Sequence, residues 1–304
     1  MSTDFTDQQA ELQRLARERD AVLLAHNYQR PEIQDASDFV GDSLELSRKA
    51  AATPNSVILF CGVHFMAETA HILAPHKTVL MPDARAGCPM ANMVTAEGLK
   101  ALKAKHPGAV VVAYVNTSAA VKAESDVCCT SSNAVEIVNR VPADKQIIFV
   151  PDRNLGDWVE RQTGRKMVIW DGYCHVHEHI DPAEILARKA EHPQAKVLAH
   201  PECPRAVVDL ADVVTSTSGM LRYPETDDTQ TYIVATETGL LHRLNKMYPD
   251  RRFVAASLNA VCPNMKLTTL DSAIEALDEG LNEITVPPKV RERAAVAVQR
   301  MIEP

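Results

Sequence analysis

Three of the seven cysteines recur at nearly equal intervals along this 304-residue chain. Cys88, Cys174 and Cys262 are separated by 86 and 88 residues, and each follows an apolar run by a few residues. Structural zinc sites usually contain closely spaced pairs such as C-x-x-C, whereas single thiolates from separate domains suit an iron–sulfur cluster. Since four cysteines ordinarily hold a four-iron cluster, three would leave one iron open as a Lewis acid for a substrate oxygen.

The other four cysteines share no such spacing, and we interpret them as small buried apolar side chains: Cys61, Cys128, Cys129 and Cys203. The cysteine count is odd, the chain is not small, and the N-terminal segment is polar without a hydrophobic signal region. These features predict a cytoplasmic protein with reduced thiols rather than a disulfide framework.

Acid–base side chains follow the same period as the cysteines. His26, Tyr114 and His200 are 88 and 86 residues apart, and each ends an apolar run. A lone histidine at a strand end is more often structural than catalytic, but recurrence at one position of a repeat favours function. Histidine titrates near neutrality, while Tyr28, Tyr114 and Glu202 in the same clusters can donate or relay protons. These residues are therefore candidates for proton transfer.

Hydroxyl side chains repeat as well. Ser43, Ser131 and Thr217 are 88 and 86 residues apart, and each is expected at the beginning of a helix. Backbone N–H groups at a helix N-terminus favour anions, so the three positions are candidate sites for a carboxylate or a phosphate. Most such hydroxyls only cap their helix, and Ser43 is placed to cap the helix that follows it.

The repeat predicts the architecture of the chain. Each of its three copies contains four apolar runs separated by helices, which indicates parallel sheets in an α/β fold. Twelve strands are too many for an eight-stranded barrel, so we expect three homologous αβα units, each with a doubly wound, four-stranded parallel sheet. The units are expected at residues 1–88, 89–174 and 175–262, with a C-terminal helical extension at 263–304 that closes the ring. Around a pseudo-threefold axis, the carboxyl ends of the strands would bring every repeated polar position to one pocket.

Composition excludes several classes of function. The net charge of −8 and the pI of about 5.8 disfavour nucleic acid or an anionic membrane as the main partner. Aromatic residues make up only 5% of the chain, which argues against base-stacking platforms. The sequence contains no apolar run long enough to span a bilayer. We therefore expect small-molecule substrates, no nucleic acid partner and no membrane.

Six segments together resemble the quinolinate synthase family. In chain order they are AHNYQRPEIQDASDFVGDSLELSRKA, GCPMAN, YVNTSAAVKAESDVCCTSSNA, PDRNLG, HPECP and VCPNMK. The resemblance covers nearly the whole chain and implies three αβα domains around a [4Fe–4S] cluster with three cysteine ligands. It also implies a transferase that condenses iminoaspartate with dihydroxyacetone phosphate to quinolinate, with loss of phosphate and water, in NAD biosynthesis. A functional link to L-aspartate oxidase or aspartate dehydrogenase follows from that reaction.

The resemblance also implies a role for each repeated residue. The cluster ligands are Cys88, Cys174 and Cys262, and the catalytic residues are Tyr28, Glu202, His26 and His200. The residues implied to bind substrate are His26, Ser43, Tyr114, Asn116, Ser131, His200, Glu202 and Thr217. Tyr28 and Glu202 are expected to handle protons during isomerisation and ring closure. Asn154, in the segment PDRNLG, is expected to be structural or to lie near the site.

One segment departs from the family pattern. Some members carry a C-x-x-C-x-x-C run around the third ligand, whereas this chain has only Cys262 at the end of LNAVC. A disulfide switch is therefore not available at that place. His175 and His177 follow Cys174 closely, where they either contact substrate or cover the cluster, and the sequence leaves both alternatives open.

Two other classes of function remain alternatives. A cluster-free aldolase or phosphosugar enzyme could use the same histidines and glutamate, but it needs a Schiff-base lysine or a divalent metal. The site-forming clusters at the twelve predicted strand ends contain no lysine. A non-catalytic binding protein could use the triplication only for assembly. Iron content and visible absorption of the anaerobically purified protein separate the cluster enzyme from both alternatives.

Overall fold

The computed structural model describes residues 5–303 and places twelve strands in three separate sheets. In chain order the strands are β1 (Ala21–His26), β2 (Phe39–Gly41), β3 (Val57–Cys61), β4 (Thr78–Leu80), β5 (Val110–Tyr114), β6 (Val127–Cys129), β7 (Ile147–Val150), β8 (Met167–Ile169), β9 (Lys196–Ala199), β10 (Val213–Val214), β11 (Thr231–Ala235) and β12 (Arg252–Ala255). All neighbouring strands are parallel, in the orders β2-β1-β3-β4, β6-β5-β7-β8 and β10-β9-β11-β12. The same four-stranded unit therefore occurs three times, which confirms the predicted α/β fold.

Helices connect the strands in every unit. Within residues 5–303 they are α1 (Thr6–Glu18), α2 (Pro31–Ala36), α3 (Ser43–Ala52), α4 (His64–Leu73), α5 (Ala96–Lys105), α6 (Ala119–Lys122), α7 (Ala134–Arg140), α8 (Arg153–Thr163), α9 (His175–Glu178), α10 (Pro182–Glu191), α11 (Arg205–Val208), α12 (Thr217–Arg222), α13 (Leu240–Met247), α14 (Leu270–Glu279) and α15 (Pro288–Ile302). None of these helices combines the length and the apolar character that crossing a membrane requires.

The two central strands of each sheet are almost wholly buried, because the sheet is covered there on both faces. In β1, Val22 and Leu24 pack into one apolar core, and Leu23 and Ala25 pack into another on the opposite side. All six residues of this strand are buried. Continuous burial removes the alternation of polar and apolar residues that a half-exposed strand would show, which explains why the strands occur as short apolar runs in the sequence.

The three units share a specific side-chain contact as well as a topology. Asp38 accepts a hydrogen bond of 2.8 Å from a backbone N–H of β1. Asp126 and Asp212 accept the corresponding bonds from β5 and β9, each at 2.7 Å. Each aspartate stands just before the second strand of its unit, so it ties the beginning of that strand to the first strand. The repeat in the sequence is therefore also a repeat of local contacts.

The three sheets also share their register. In the central strand pair of each sheet, the last paired residue of the first strand is an alanine. The residues that follow these alanines are His26, Tyr114 and His200. The three sheets therefore present these side chains at equivalent points of their carboxyl edges.

The prediction that Ser43 caps α3 is wrong. Asp42 is the N-cap, and its carboxylate accepts hydrogen bonds from the N–H groups of Leu44 and Glu45. The side chain of Glu45 accepts a hydrogen bond from the N–H of Asp42, which completes a capping box. A carboxylate is favoured at the positive end of a helix, and Ser43 becomes the first helical residue with its hydroxyl released from capping.

Thr217 and Ser131 stand in two different local settings. Ser216 caps α12, so Thr217 is the first helical residue there, as Ser43 is in α3. Ser131 lies in the turn at residues 131–133, ahead of α7, so the expectation that it begins a helix is wrong.

The C-terminal segment returns to the first two units. Helix α14 packs on α1 and β3, and the N–H of Ile284 donates to the carbonyl of Val79 in β4 at 2.8 Å. Helix α15 packs against α3 and α4 on one side and against α6 and β6 on the other. Its buried residues belong to one apolar core that runs through the first two units, whereas the third unit contains two smaller cores. The unit boundaries remain predictions, with units ending at residues 88, 174 and 262. The ring-closing role of residues 263–304 is likewise a prediction.

Candidate active site and metal centre

The carboxyl ends of the three sheets surround one cavity. All twelve residues with a predicted role line it: His26, Tyr28, Ser43, Cys88, Tyr114, Asn116, Ser131, Cys174, His200, Glu202, Thr217 and Cys262. They come from all three units. The structure therefore brings together every residue that the sequence pattern and the family resemblance singled out for catalysis, substrate binding or metal ligation.

The three repeated cysteines differ from the other four in their surroundings. Cys88, Cys174 and Cys262 line the cavity and are partly exposed. The other four cysteines are buried, which agrees with their interpretation as small apolar side chains. All seven are free thiols. The chain thus contains three accessible sulfur donors, one from each unit, at the same cavity.

Backbone N–H groups point at each of the three sulfurs. The donors are Met90 and Ala91 for Cys88, His177 for Cys174, and Asn264 and Met265 for Cys262. Burial raises the pKa of the Cys88 thiol to about 12, because a thiolate loses its hydration there, and the N–H groups act in the opposite direction. Metal ligation requires the thiolate, and hydrogen bonds to sulfur are typical of iron–sulfur sites. This donor set therefore fits a cluster held by three cysteines.

A second group of donors lies beside Cys174. Its sulfur, a ring nitrogen of His177 and a carboxylate oxygen of Glu202 lie within 4.8 Å of one another. A Cys–His–carboxylate set can hold zinc, so it represents the divalent-metal alternative. However, His177 and Glu202 are both engaged with other side chains, and three thiolates are the softer donors that favour an iron–sulfur cluster. We therefore favour the three cysteines as the metal site.

His177 connects the acid–base residues of the cavity. Its side chain is only 1% exposed, and its Nε2 lies 2.8 Å from Oγ1 of Thr236. The hydroxyl of Tyr28 lies 2.6 Å from the same oxygen. On the other side of the ring, Nδ1 lies 2.7 Å from Oε2 of Glu202. A continuous chain of polar atoms therefore runs from Tyr28 through Thr236 and His177 to Glu202.

Burial keeps the two tyrosines of the cavity protonated. The pKa values of Tyr28 and Tyr114 are raised well above 10, because a phenolate would lose its hydration and would also face the charge of Glu202. Tyr114 donates a hydrogen bond of 2.5 Å to Oε1 of Glu202. Both phenols are therefore proton donors at neutral pH.

Glu202 is ionised although it is buried. Burial by itself raises the pKa of this carboxyl, but the nearby imidazoles of His177 and His200 and the hydrogen bond from Tyr114 outweigh it and lower the pKa. The ring of His200 stacks on that of His177 with the centroids 4.7 Å apart. Glu202 is therefore an acceptor that holds neighbouring side chains in place.

The two repeated histidines are neutral at pH 7. Burial lowers the pKa of His26 to about 4 and that of His200 to about 3, because an imidazolium loses its hydration in the cavity. The ring of His26 packs edge-on against Tyr28 with the centroids 4.6 Å apart. Nε2 of His200 lies 3.2 Å from Oγ of Ser131. Neutral imidazoles can both donate and accept hydrogen bonds, which suits ligand binding.

Side chains from the three units meet beside the repeated hydroxyls. Ser132 donates a hydrogen bond of 2.5 Å to Oδ2 of Asp42, and its Oγ lies 2.9 Å from Oγ of Ser216. The chain neighbours of these three residues are Ser131, Ser43 and Thr217. We call Asp42, Ser132 and Ser216 the polar junction. The three units therefore contact one another directly beside their cavity-lining hydroxyls.

The structure shows the surroundings of Asn154 and His175, whose roles the sequence left open. Asn154 donates to the carboxylate of Glu178 at 2.8 Å and to the backbone carbonyl of Glu202 at 3.0 Å, so it supports the backbone of Glu202. His175 lines the cavity beside His177, and burial lowers its pKa.

Sequence reasoning missed Thr236 and Glu237, and it left His177 open between contacting substrate and covering the cluster. Thr236 and Glu237 follow β11, where the other two units have Gly62-Val63 and Pro151-Asp152. A search for positions that are polar in all three copies passes over them. The signal that could have found them is the pair of adjacent polar residues at the end of an apolar run.

The fold and the site define a three-unit α/β enzyme whose strand ends enclose a cysteine-lined reaction cavity. The family model described as "Quinolinate synthetase A protein" matches residues 10–303. The quinolinate synthase of Desulforudis audaxviator is 53% identical to this chain over 293 residues, which are 96% of this chain and 97% of the relative. The quinolinate synthase of Geobacter metallireducens is 55% identical over 293 residues, 96% of each chain. The quinolinate synthase of Methanoregula boonei is 54% identical over 294 residues, 97% of each chain. The chain therefore belongs to the quinolinate synthase family.

Proposed function

We propose that this protein condenses iminoaspartate with dihydroxyacetone phosphate to give quinolinate, with release of phosphate and water, and so serves NAD biosynthesis. The observation that carries the proposal is the convergence of Cys88, Cys174 and Cys262, one from each unit, on the cavity that holds the repeated acid–base residues. The names of the relatives support it. Because the reaction joins two carbon skeletons, we assign the enzyme to the transferases.

A [4Fe–4S] cluster is the proposed cofactor, with Cys88, Cys174 and Cys262 as ligands and one iron left open. The support is the chemistry of the donors: three free thiols, each facing backbone N–H groups, at one cavity. When bound, such a cluster supplies a Lewis acid for a substrate oxygen.

The repeated hydroxyls and amides are proposed to bind the anionic and polar groups of the substrates. Ser43 and Thr217 begin helices, where backbone N–H groups favour anions. Ser131 occupies the corresponding position of the second unit, in a turn that precedes α7. Oδ1 of Asn116 is buried and has no partner within the described chain. An unpaired buried acceptor is costly, so a donor group of the substrate is its natural partner. Neutral His26 and His200 complete the polar lining.

Proton transfer is proposed to run through Tyr28 and His177. The phenol of Tyr28 donates a proton to a substrate oxygen and regains one through Thr236 from Nε2 of His177. The carboxylate of Glu202 lies 2.7 Å from Nδ1 of His177 and orients the ring for this transfer. A hydroxyl, an imidazole and a carboxylate in this order form the arrangement found in catalytic triads. Tyr28 and Glu202 thus act at opposite ends of one relay.

Anaerobic purification followed by iron, sulfide and zinc determination tests the cofactor, and quinolinate formation from the two substrates tests the reaction. The proposal predicts a brown protein with about four irons per chain that makes quinolinate. A colourless, iron-free protein that still makes quinolinate would refute the cluster. Zinc in place of iron would favour the site at Cys174, His177 and Glu202. A brown protein that is inactive with both substrates would favour a binding protein.

We also propose that the protein works in the cytoplasm, next to an enzyme that oxidises aspartate. Its seven free thiols are compatible with a reducing compartment. Iminoaspartate is the two-electron oxidation product of aspartate, so L-aspartate oxidase or aspartate dehydrogenase would supply it. Extraction of both activities in one soluble fraction would support this arrangement, and separate compartments would contradict it.

A further inference from the structure

A buried ion pair stands behind the third cysteine. Nζ of Lys266 lies 3.0 Å from Oε1 of Glu237, whose side chain is 0% exposed, while the lysine side chain is 19% exposed. The same Oε1 accepts a hydrogen bond of 3.0 Å from the backbone N–H of Cys262. Oε2 accepts one of 2.7 Å from the N–H of Gly239. Both oxygens of Glu237 are therefore occupied, and one of them holds the backbone of a proposed cluster ligand.

The same pair reaches the catalytic tyrosine. The ammonium group of Lys266 donates to the backbone carbonyl of Tyr28. The guanidinium of Arg30 donates to the carbonyl of Lys266 at 2.7 and 3.0 Å. Thr236, which precedes Glu237 in the chain, holds the hydroxyl of Tyr28. Tyr28 is thus attached at its backbone through Lys266 and at its hydroxyl through Thr236.

Gly239 packs directly against Glu237, Lys266 and Tyr28, with no space for a side chain. A Cβ atom at Gly239 would lie 2.8 Å from Oε2 of Glu237, 2.9 Å from Nζ of Lys266 and 2.9 Å from the backbone carbon of Tyr28. Real Cβ contacts are not that short, so only glycine allows the three groups to meet at this point. The steric observation is independent of the hydrogen bonds, and it identifies the same three partners.

A carboxylate at this position recurs in the second unit. Asp152 follows β7 by two residues, as Glu237 follows β11; burial raises the pKa of Asp152, and the backbone N–H of Cys174 is among the hydrogen-bond donors that act in the opposite direction. In two of the three units, an acidic residue beyond the third strand therefore faces the backbone of that unit's repeated cysteine. Only Glu237 has a lysine partner, and only its lysine reaches Tyr28.

Stability alone is a weak reason for such a pair. Removing a carboxylate and an ammonium from water costs free energy that their attraction does not reliably repay, and apolar residues often stabilise a core better. The position of the pair between the Cys262 loop and Tyr28 suggests geometry as its role. We propose that Glu237 and Lys266 are positioning residues that hold the Cys262 loop against Tyr28, so that metal binding at the cavity and the placement of the Tyr28 hydroxyl are coupled. This inference rests on the proposed function because it takes Cys262 as a cluster ligand.

The experiment compares Lys266→Met, Lys266→Arg, Glu237→Gln and the double variant Glu237→Gln/Lys266→Met with the unmodified protein. Lys246→Met is the matched control: Lys246 also joins the third unit to the first, through Asp35 at 2.7 Å, but its side chain is 66% exposed. The measurements are amide hydrogen exchange of the metal-free protein in residues 26–30 and 257–267, the rate of iron release to a chelator, and kcat with KM.

Lys266→Met is expected to speed hydrogen exchange in both segments together. It should speed iron release about tenfold and lower kcat about tenfold while KM changes less than about twofold, since a buried charge-assisted contact is lost. Lys266→Arg keeps the positive charge, so its changes in hydrogen exchange, iron release and kcat should be smaller than those of Lys266→Met. The double variant should be no worse than either single variant, because the two residues act as one unit. Lys246→Met should match the unmodified protein.

The inference is overturned if Lys266→Met and Glu237→Gln lower only the melting temperature and leave iron release and the kcat-to-KM split unchanged. Additive losses in the double variant would also overturn it. If Lys266→Met does not fold, the double variant and Lys266→Arg decide, because neither leaves a buried charge without a partner. An unmodified protein without iron would refute the proposed cofactor instead, and coupled exchange of the two segments in the metal-free protein would still test the pair.

Discussion

The phenol of Tyr114 donates a hydrogen bond of 2.5 Å to Oε1 of Glu202, a residue 88 positions further along the chain. The two residues come from the strand ends of the second and third units, so the contact crosses a unit boundary. The other oxygen of the same carboxylate lies 2.7 Å from Nδ1 of His177. Glu202 therefore joins a proton donor of one unit to the relay that ends at Tyr28.

Cys88→Ser should lose the cluster while the protein still folds. The side chain lies in a loop and not in a core strand, and serine is a poor ligand for the soft iron–sulfur core. Iron per chain and visible absorption after anaerobic reconstitution measure the loss, and circular dichroism checks the fold. Cys61→Ser is the control, because Cys61 is buried in β3 away from the cavity. It should lose stability and keep its iron, and retention of full iron by Cys88→Ser would remove Cys88 from the ligand set.

Tyr28→Phe should keep the cluster and lose turnover by about a hundredfold or more, as expected when a general acid is removed. The hydroxyl of Tyr28 is the end of the relay, 2.6 Å from Oγ1 of Thr236. Steady-state kinetics and iron content are measured together. Tyr232→Phe is the matched control, since it removes a phenol of the third unit that bonds Asp227 at 2.9 Å and does not line the cavity. It should cost about 1 kcal/mol of stability and no activity. Equal turnover of the two variants would exclude Tyr28 from the mechanism.

His26→Asn should make stability less sensitive to acid. The pKa of His26 is lowered from its ordinary value of 6.5 to about 4 by burial. Between these pH values the unfolded chain binds a proton there that the folded chain does not, so the free energy of unfolding falls as the pH falls through this window. One such group contributes a slope of about 1.4 kcal/mol per pH unit. Urea unfolding of both metal-free proteins at pH 7, 6 and 5 measures the difference, and parallel pH dependences would show that His26 is protonated as easily in the folded chain.

Ser132→Ala should weaken substrate binding more than turnover. The substitution opens the polar junction, where the hydroxyl of Ser132 contacts Asp42 and Ser216 from the other two units. Loss of a hydrogen bond of this kind is worth about 0.5–1.5 kcal/mol, so KM for dihydroxyacetone phosphate should rise about two- to twelvefold with a smaller change in kcat. Ser125→Ala serves as the control, because its hydroxyl donates only within its own unit, to the carbonyl of Val121 at 2.8 Å. Identical KM values for the two variants would contradict the role of the junction.

Repeated features were the ones that the sequence predicted well. His26, Tyr114 and His200 occupy one register position in three sheets, so their common environment was visible as a common spacing. The central strands were visible because burial on both faces leaves short, mostly apolar runs. The meeting of all twelve residues at one cavity followed from the rule that parallel sheets bind ligands at their carboxyl edges.

Most of the features that sequence reasoning missed have no counterpart in the other units, but the local settings of Ser43 and Ser131 were also predicted wrongly although these positions repeat. Thr236 has glycine and proline as counterparts, so no periodic pattern marks it. The cap of α3 was assigned to Ser43 because serine is a common N-cap, but the preceding Asp42 and its partner Glu45 form the stronger capping box. The ion pair between Glu237 and Lys266 joins distant segments, and only three-dimensional packing brings them together.

The third unit has its own apolar cores, and this separation suggests where substrates enter the cavity. The first two units share one continuous apolar core that α15 completes, so drawing them apart would expose a large hydrocarbon surface to water. The third unit contributes no buried residue to this core among the described residues, and it meets its neighbours through polar contacts that are exposed in some places, as between Lys246 and Asp35, and buried in others, as between Glu202 and Tyr114. We therefore expect the cavity to open at the boundary of the third unit, which would move relative to the first two units while these stay together.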